Sequence, residues 1–291
     1  MRAWDHREGV PGEFAVVVCD ACGSGRTSPV PEDLAAAYPA TYQQHTGASV
    51  TARVVARAIA HTARGGRLAG AVRYVVPDAE LGGPVAPGSR VLDVGAGNGT
   101  AVGALLAAGA EAHGVEPDGG AVAAARAAGW TTVEQGTLET SPLRGHRWDL
   151  VRMFHVLEHV PEPAVTLRAI HGALAPGGRL VVGVPNYSSL GRRVFGPSWD
   201  GLEVPRHLMH LTPAGLRHLL DDAGFRVQAM RTTPLFGVLT GSLDARTAPG
   251  RRRQRGWGEG LVPRALAYPL EVAVALAGGG DGLVAVARPR V

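Results

Sequence analysis

Lysine is missing from this chain altogether, and all 29 basic residues are arginine. A pyridoxal Schiff base needs a lysine amine, and a P-loop needs a lysine on its phosphates, so both chemistries are excluded. Cysteine is nearly as scarce: Cys19 and Cys22 form a single C-x-x-C, too few for a disulfide framework. Aromatic residues make up 5% of the chain, which leaves few stacking platforms for bases. No apolar run approaches the ~20 residues needed to cross a bilayer, and MRAWDHREGV carries charge but no apolar signal region. A cytoplasmic protein with no membrane and no nucleic-acid partner is expected. The net charge of +4 is assigned to the codon usage of a GC-rich genome, and RRRQR at 251–255 reads as a solvated loop.

What is present points to a packed α/β protein. The 291 residues are 45% hydrophobic and 19% charged, enough to bury a sizeable core. Residues 1–30 read as short strands and turns around FAVVVCDACG. Residues 31–80 read as a helical lid: PEDLAAAYPATY starts with Pro and two acids, and further helical patterns at 48–76 break at Gly65-Gly66. From residue 88 strands and helices alternate: RVLDVGA, TAVGALLAAG, AEAHGVEP, GAVAAARAAG, TTVEQGTL, WDLVRMFH, a helix from near Pro161, RLVVGVPN, TPAGLRHLLDDAG and FRVQAMR. Such repeats predict a parallel, doubly wound sheet. Residues 240–262 break the pattern and read as a loop or insertion. A helix over PRALAYPLEVAVALAGGG and a strand over DGLVAVARP follow.

The stretch VLDVGAGNGT sits at the first strand-to-helix turn, where doubly wound sheets bind ligands. Its spacing is G-x-G-x-G, with Thr100 where a dinucleotide fingerprint has its third glycine. Asp93 stands ahead of the glycines, where it would repel a pyrophosphate. Glu116 ends the next strand, placed to accept both hydroxyls of a ribose. Glycines followed by that acid indicate adenosine without phosphates.

These residues resemble the class I S-adenosylmethionine-dependent methyltransferases, from about residue 88 to the end. VLDVGAGNGT resembles the family's first motif and GVEPD its second. WDLVRMFHVLEHVPEP, LAPGGRLVVGVPN and PRHLMHLTPAGLRHLLDDAGF resemble its small-molecule branch. The resemblance implies a Rossmann-like sheet of seven strands, the last antiparallel and inserted beside FRVQAMR. It implies that Asp93, Gly95, Gly97 and Gly99 line the cofactor, that Glu116 beside Pro117 takes the ribose, and that Thr137 and Leu138 flank adenine. Phe154 and His155 would sit near the methionine end, with Tyr42 reaching in from the lid. The implied reaction is methyl transfer to an oxygen or nitrogen of a small organic acceptor, with secondary-metabolite biosynthesis the favoured setting. An RNA methyltransferase and a non-catalytic cofactor-binding protein are the alternatives.

An oxygen acceptor calls for a base, and histidine titrates in the right range. His207 and His210 are the favoured candidates, ahead of His155, with His159 read as structural. Tyr38, Tyr187, Phe195 and Trp199 are the candidate substrate contacts, the alternative being that they close the core. His155, Glu158 and His159 also match an inverted zinc-peptidase motif, but that motif needs a long helix and here it follows a strand crowded by Pro161 and Pro163. The N-terminal C-x-x-C resembles a zinc ribbon reduced to one knuckle. Two thiolates cannot close a tetrahedral site, and the spacing of His6 and His45 does not favour them as completing ligands. No metal is therefore expected, with a metal shared across a dimer as the runner-up; the chain is expected as a monomer or homodimer.

Overall fold

The computed structural model describes residues 1–5, 7, 9–38, 50–143, 145–247 and 260–290. In chain order it carries β1 (Arg2–Ala3), β2 (Phe14–Val18), β3 (Gly25–Ser28), α1 (Val50–Ala63), α2 (Ala69–Val75), β4 (Arg90–Val94), α3 (Thr100–Ala107), β5 (Glu111–Glu116), α4 (Gly119–Ala127) and β6 (Val133–Gln135). Then follow β7 (Trp148–Phe154), α5 (Pro163–Ala173), β8 (Leu174–Pro185), α6 (Leu190–Phe195), β9 (Met209–His210), α7 (Pro213–Asp222), β10 (Phe225–Thr233), α8 (Val238–Thr247), α9 (Leu261–Leu276) and β11 (Gly282–Pro289).

The near-continuous apolar runs of β4, β7 and β8 mark strands covered on both faces, and they form the centre of a seven-stranded sheet ordered β10-β11-β8-β7-β4-β5-β6. The five strands from β4 to β8 are parallel. β11 lies antiparallel between β8 and β10, the insertion that the family resemblance implies. Strand order reverses at β4, with β5 and β6 on one side and β7 and β8 on the other. A crevice therefore opens beyond the carboxyl ends of β4 and β7.

Two helical layers cover the sheet. One buried cluster joins Leu167 and Ile170 of α5, Leu216 and Leu220 of α7 and Phe225 to Leu92, Met153 and Val182. The other joins Ala58, Ile59 and Ala63 of α1 to Val102 and Leu105 of α3 and Val91 and Leu150. The 31–80 stretch is thus not a separate lid, because the apolar face of α1 is part of a sheet-covering layer. Within 31–42 the described residues make a 3-10 turn at Ala35–Ala37, and those beyond Tyr38 lie outside the described residues.

The boundary at residue 30 is also crossed. β1, β2, β3 and β9 form one antiparallel sheet, so a strand from beyond β8 completes the N-terminal hairpin. Ala3, Phe14 and Val16 bury themselves against Tyr187, Trp199, Leu202 and Val204, a seam between the N-terminal residues and the segment after β8. Residues 240–247, expected as loop, continue α8. The helix after β7 starts at Pro163, with that proline in its first turn. Among the described residues no helix is long and apolar enough to cross a membrane.

Candidate functional site

The glycine loop follows β4 directly. Gly95 and Gly97 have φ of +72° and +51°, a region that side chains rarely tolerate. A Cβ on Gly95 would collide with Val156, whereas one on Gly97 would meet nothing within 4 Å among the described residues. The first glycine therefore serves close packing and the second faces open space. Gly99 caps α3 in the left-handed region. Glu116, only 3% exposed, ties the loop down: its Oε2 accepts from the Gly97 amide at 2.9 Å and its Oε1 from the Asp118 amide at 3.0 Å. Pro117 and Thr137 are exposed nearby, while Leu138 is buried in the core.

Asp93 meets a partner that the sequence reading missed. Arg152 of β7 donates through Nη1 to its Oδ1 at 3.0 Å and through Nη2 to the Asp78 carbonyl at 3.1 Å. The same guanidinium lies 4.8 Å from the centre of the Phe154 ring. Burial pushes the Asp93 carboxyl up to about 6 against the pull of Arg152. The signal for this pair was an arginine in the apolar run WDLVRMF, facing an aspartate in RVLDV at the same sheet register.

His155 closes β7 with φ of +56°, a rare conformation for a non-glycine residue. Its Nε2 lies 3.7 Å from Asp78 and its Nδ1 3.7 Å from Glu158. Burial opposes its charged form, but those two carboxylates outweigh it and hold the imidazole protonated well above its usual range. Asp78, from the segment ahead of β4, is the second residue the sequence reading missed.

Beyond His155 lies a buried polar cluster. Leu157–His159 form a 3-10 turn rather than the long helix of a zinc peptidase. Glu158 is 1% exposed, and neither carboxylate oxygen has a hydrogen-bond partner. His207 faces it, with Nε2 4.0 Å from the Glu158 Oε1 and 3.8 Å from Glu203. Burial, then His159, pushes the His207 imidazole down to about 4. His159 joins through Tyr38, whose hydroxyl is 2.9 Å from Nδ1. Ligand-capable atoms of Glu158, His159 and His207 lie within 4.8 Å of one another, a set that could hold a metal.

The structure separates the remaining candidates from the crevice. His210, 3% exposed, contacts Thr27 through Nε2 at 2.9 Å and stacks near Tyr187. It is enclosed beneath the N-terminal hairpin, and burial pushes its imidazole down to about 3. Tyr187, Phe195 and Trp199 belong to the seam core, and the Trp199 indole donates to Asp281 at 2.8 Å. Tyr187 and Trp199 are buried there, and Phe195 is half-buried against them. Tyr42, His6 and His45 lie outside the described residues. Cys19 and Cys22 flank the hairpin turn, where the Gly23 amide donates to the Cys19 carbonyl and the Cys19 amide to the Ser24 carbonyl, both at 2.8 Å.

With this geometry in hand, comparison with known proteins is informative. A family model described as a methyltransferase domain matches residues 56–230. An uncharacterized 37.1 kDa protein in a Streptomyces fradiae transposon is 32% identical over 61% of this chain and 55% of its own length. A protein of Mycolicibacterium smegmatis described as a probable S-adenosylmethionine-dependent methyltransferase is 32% identical over 55% of this chain and 60% of its own. A ubiquinone biosynthesis O-methyltransferase of Aeromonas salmonicida is 31% identical over 49% and 65%. The chain thus spans between about half and two thirds of these relatives' lengths. Among solved structures, one from Haloferax volcanii pairs the Trm112 activator with a protein described as a methyltransferase. It superposes with a TM-score of 0.54 at 20% identity, covering 84% of this chain and 100% of its own; at that identity the likeness concerns the fold.

Proposed function

The chain belongs to the methyltransferase-domain family, and on that premise we propose that it transfers a methyl group from S-adenosylmethionine to an oxygen or nitrogen of a small organic acceptor. The observation that carries this is the joining of the glycine loop to Glu116. A buried carboxylate at the end of β5 anchors a loop whose second glycine faces open space, a cradle suited to a ribose and the chain attached to it. Bound there, S-adenosylmethionine supplies an electrophilic methyl on a sulfonium.

The protein's own part is positioning and proton management. Glu116 accepts the ribose hydroxyls, and the Asp93–Arg152 pair fixes the floor beneath them. Arg152 also spans to the segment carrying Asp78, so cofactor floor and His155 are held by one guanidinium. His155 is protonated beside two carboxylates, which makes it a donor and orienting group and a poor proton acceptor. Of the two candidates that burial keeps neutral, His207 and His210, His207 is the one that faces Glu158. The names of the ubiquinone-pathway relatives favour oxygen as the acceptor, and the composition favours a secondary metabolite. The Cys19–Cys22 hairpin is read as the remnant of a zinc ribbon.

Calorimetric titration of S-adenosylhomocysteine tests the reading. The wild type should bind at micromolar level, and Glu116→Ala should weaken binding by about 1–3 kcal/mol, the worth of charge-assisted hydrogen bonds. Glu116→Gln keeps an acceptor for only one of the two backbone amides that Glu116 holds, so it should weaken binding as well. A wild-type protein that takes up no S-adenosylhomocysteine would overturn the proposal.

A further inference from the structure

We propose that Glu158, His159 and His207 form a site for one divalent transition-metal ion, against the sequence-based expectation of none. The first ground is Glu158 itself. A carboxylate that is 1% exposed with both oxygens unbonded is a costly arrangement unless a cation completes it. The protonated His155 at 3.7 Å offsets part of that charge but is too distant to donate a hydrogen bond, so it leaves both oxygens unbonded. Glu203, the neighbouring acid, is already matched by Arg7 and Arg206, so it does not compete for the ion.

The second ground is the setting of the two imidazoles. The Nδ1 of His207 lies 2.9 Å from the Gly201 carbonyl, and the Nδ1 of His159 lies 3.1 Å from the Arg206 carbonyl. The Nδ1 of His159 also has the Tyr38 hydroxyl at 2.9 Å, which can donate or accept, so either tautomer finds a partner there. For His207 the backbone carbonyl can only accept, so Nδ1 carries the proton and Nε2 presents a lone pair. This is the outer-shell arrangement that orients metal-bound histidines. Ligand atoms around one ion stand about 3–3.5 Å apart at bond lengths near 2.1 Å. The present spread, within 4.8 Å, closes to that by small side-chain rotations.

Two imidazoles and one carboxylate suit zinc, iron, cobalt, nickel or manganese rather than calcium or magnesium. Three protein ligands leave at least one position open for an exchangeable oxygen. His159 is the partly exposed member of the set, and His155, 38% exposed at its side chain, borders Glu158. On the methyl-transfer reading, on which this step rests, the open position would bind the acceptor's hydroxyl and lower its pKa. The substrate class is then a hydroxyl-bearing acceptor.

The test uses the full chain carrying Cys19→Ser and Cys22→Ser, stripped with a chelator and titrated with Co²⁺ followed by its visible absorption, and with Zn²⁺ by calorimetry. One ion per chain is expected, bound roughly 100-fold more weakly in both Glu158→Gln and His207→Gln. Absence of saturable binding, or affinity unchanged in both variants, overturns the site; so does binding that disappears with the cysteines. S-adenosylhomocysteine is titrated into the same proteins. Cofactor binding without metal binding defeats this inference alone. Metal binding without cofactor binding defeats the methyl-transfer reading and leaves the metal site standing. Should Glu158→Gln fail to fold, His207→Gln carries the same readout.

Discussion

At the crevice, the groups facing outward are mostly backbone: a loop shaped by Gly95 and Gly97 and tied down by one carboxylate, Glu116. Along the seam where β1–β3 meet residues 199–212, long side chains do the joining. Arg206 has a side chain that is 0% exposed, and it holds Asp5 through two bonds of 2.9 Å and Glu203 through one of 3.1 Å. Arg7 reaches Asp200 and Glu203 from the same side. The two regions solve different problems. An apolar sheet can hold a loop at its edge without polar help, because the loop's conformation is set by where its glycines fall. The small N-terminal sheet buries few apolar side chains, so its orientation on the rest of the molecule depends on directional charge pairs.

The largest effect should come from cutting that seam. Asp5→Ala leaves the Arg206 guanidinium buried without its bidentate partner, and breaking a buried pair from one side costs about 3–5 kcal/mol. Urea unfolding should register the loss, and hydrogen exchange should show β2 and β3 exchanging sooner than β4 and β7. The exposed pair of Arg290 with Asp221 at 2.6 Å supplies the control, since Asp221→Ala should change stability by less than about 1 kcal/mol. If the two substitutions had equal effects, the seam would be held by its apolar contacts, and the contrast drawn above would fail.

Much of the sheet was legible because burial on both faces writes itself as runs of Val, Leu and Ile, and because strand, glycine loop and acid follow in a fixed order. The placement of GLVAVARP inside the sheet came from family resemblance, since strand order leaves no local trace. The seam was illegible. Asp5 and Arg206 are distant in sequence and no periodicity links them, so Trp199 and Tyr187 read equally well as pocket or core. β9 is a two-residue strand formed because a hairpin elsewhere offers it an edge. The cluster around Glu158 was half legible: HVLEH drew notice as a peptidase motif, but the partner that completes it, His207, arrives from beyond β8. The positive φ of His155 had no sequence signature.

A smaller effect separates the regions by pH. The sheet half has its own buried pair, Asp93 with Arg152, whose side chains are 5% and 4% exposed, yet Asp93 is raised from 3.8 to about 6. A folded value above the unfolded one means the native state holds more protons across that window. Its contribution to stability is therefore most favourable below pH 4 and declines as pH rises to 6. The total is on the order of 3 kcal/mol. Asp93→Asn removes this titration while keeping an acceptor for Arg152. Unfolding measured without ligand should find the variant gaining on wild type by that amount between pH 4 and pH 7.5. A constant difference across the range would mean that Arg152 fully neutralises Asp93, making this pair equivalent to the seam's.

The smallest change in stability should carry the most information about the crevice. Gly97→Ala places a methyl where no atom of the described residues lies within 4 Å, so it adds no clash with them, and the left-handed φ costs about 1–2 kcal/mol. A purely structural loop would show that modest loss and no other consequence. If the open space instead receives the ribose and methionine end of a cofactor, the same methyl occupies it, and S-adenosylhomocysteine affinity should fall by roughly tenfold or more, about 1.4 kcal/mol, beyond what unfolding accounts for. Comparing both measurements on one variant separates a glycine needed by the chain from a glycine needed by its ligand. Gly95, pressed against Val156, marks the first kind. Unchanged affinity in Gly97→Ala would place Gly97 there too, and the cradle would have to be sought on the Asp78 and His155 side of the β4 loop.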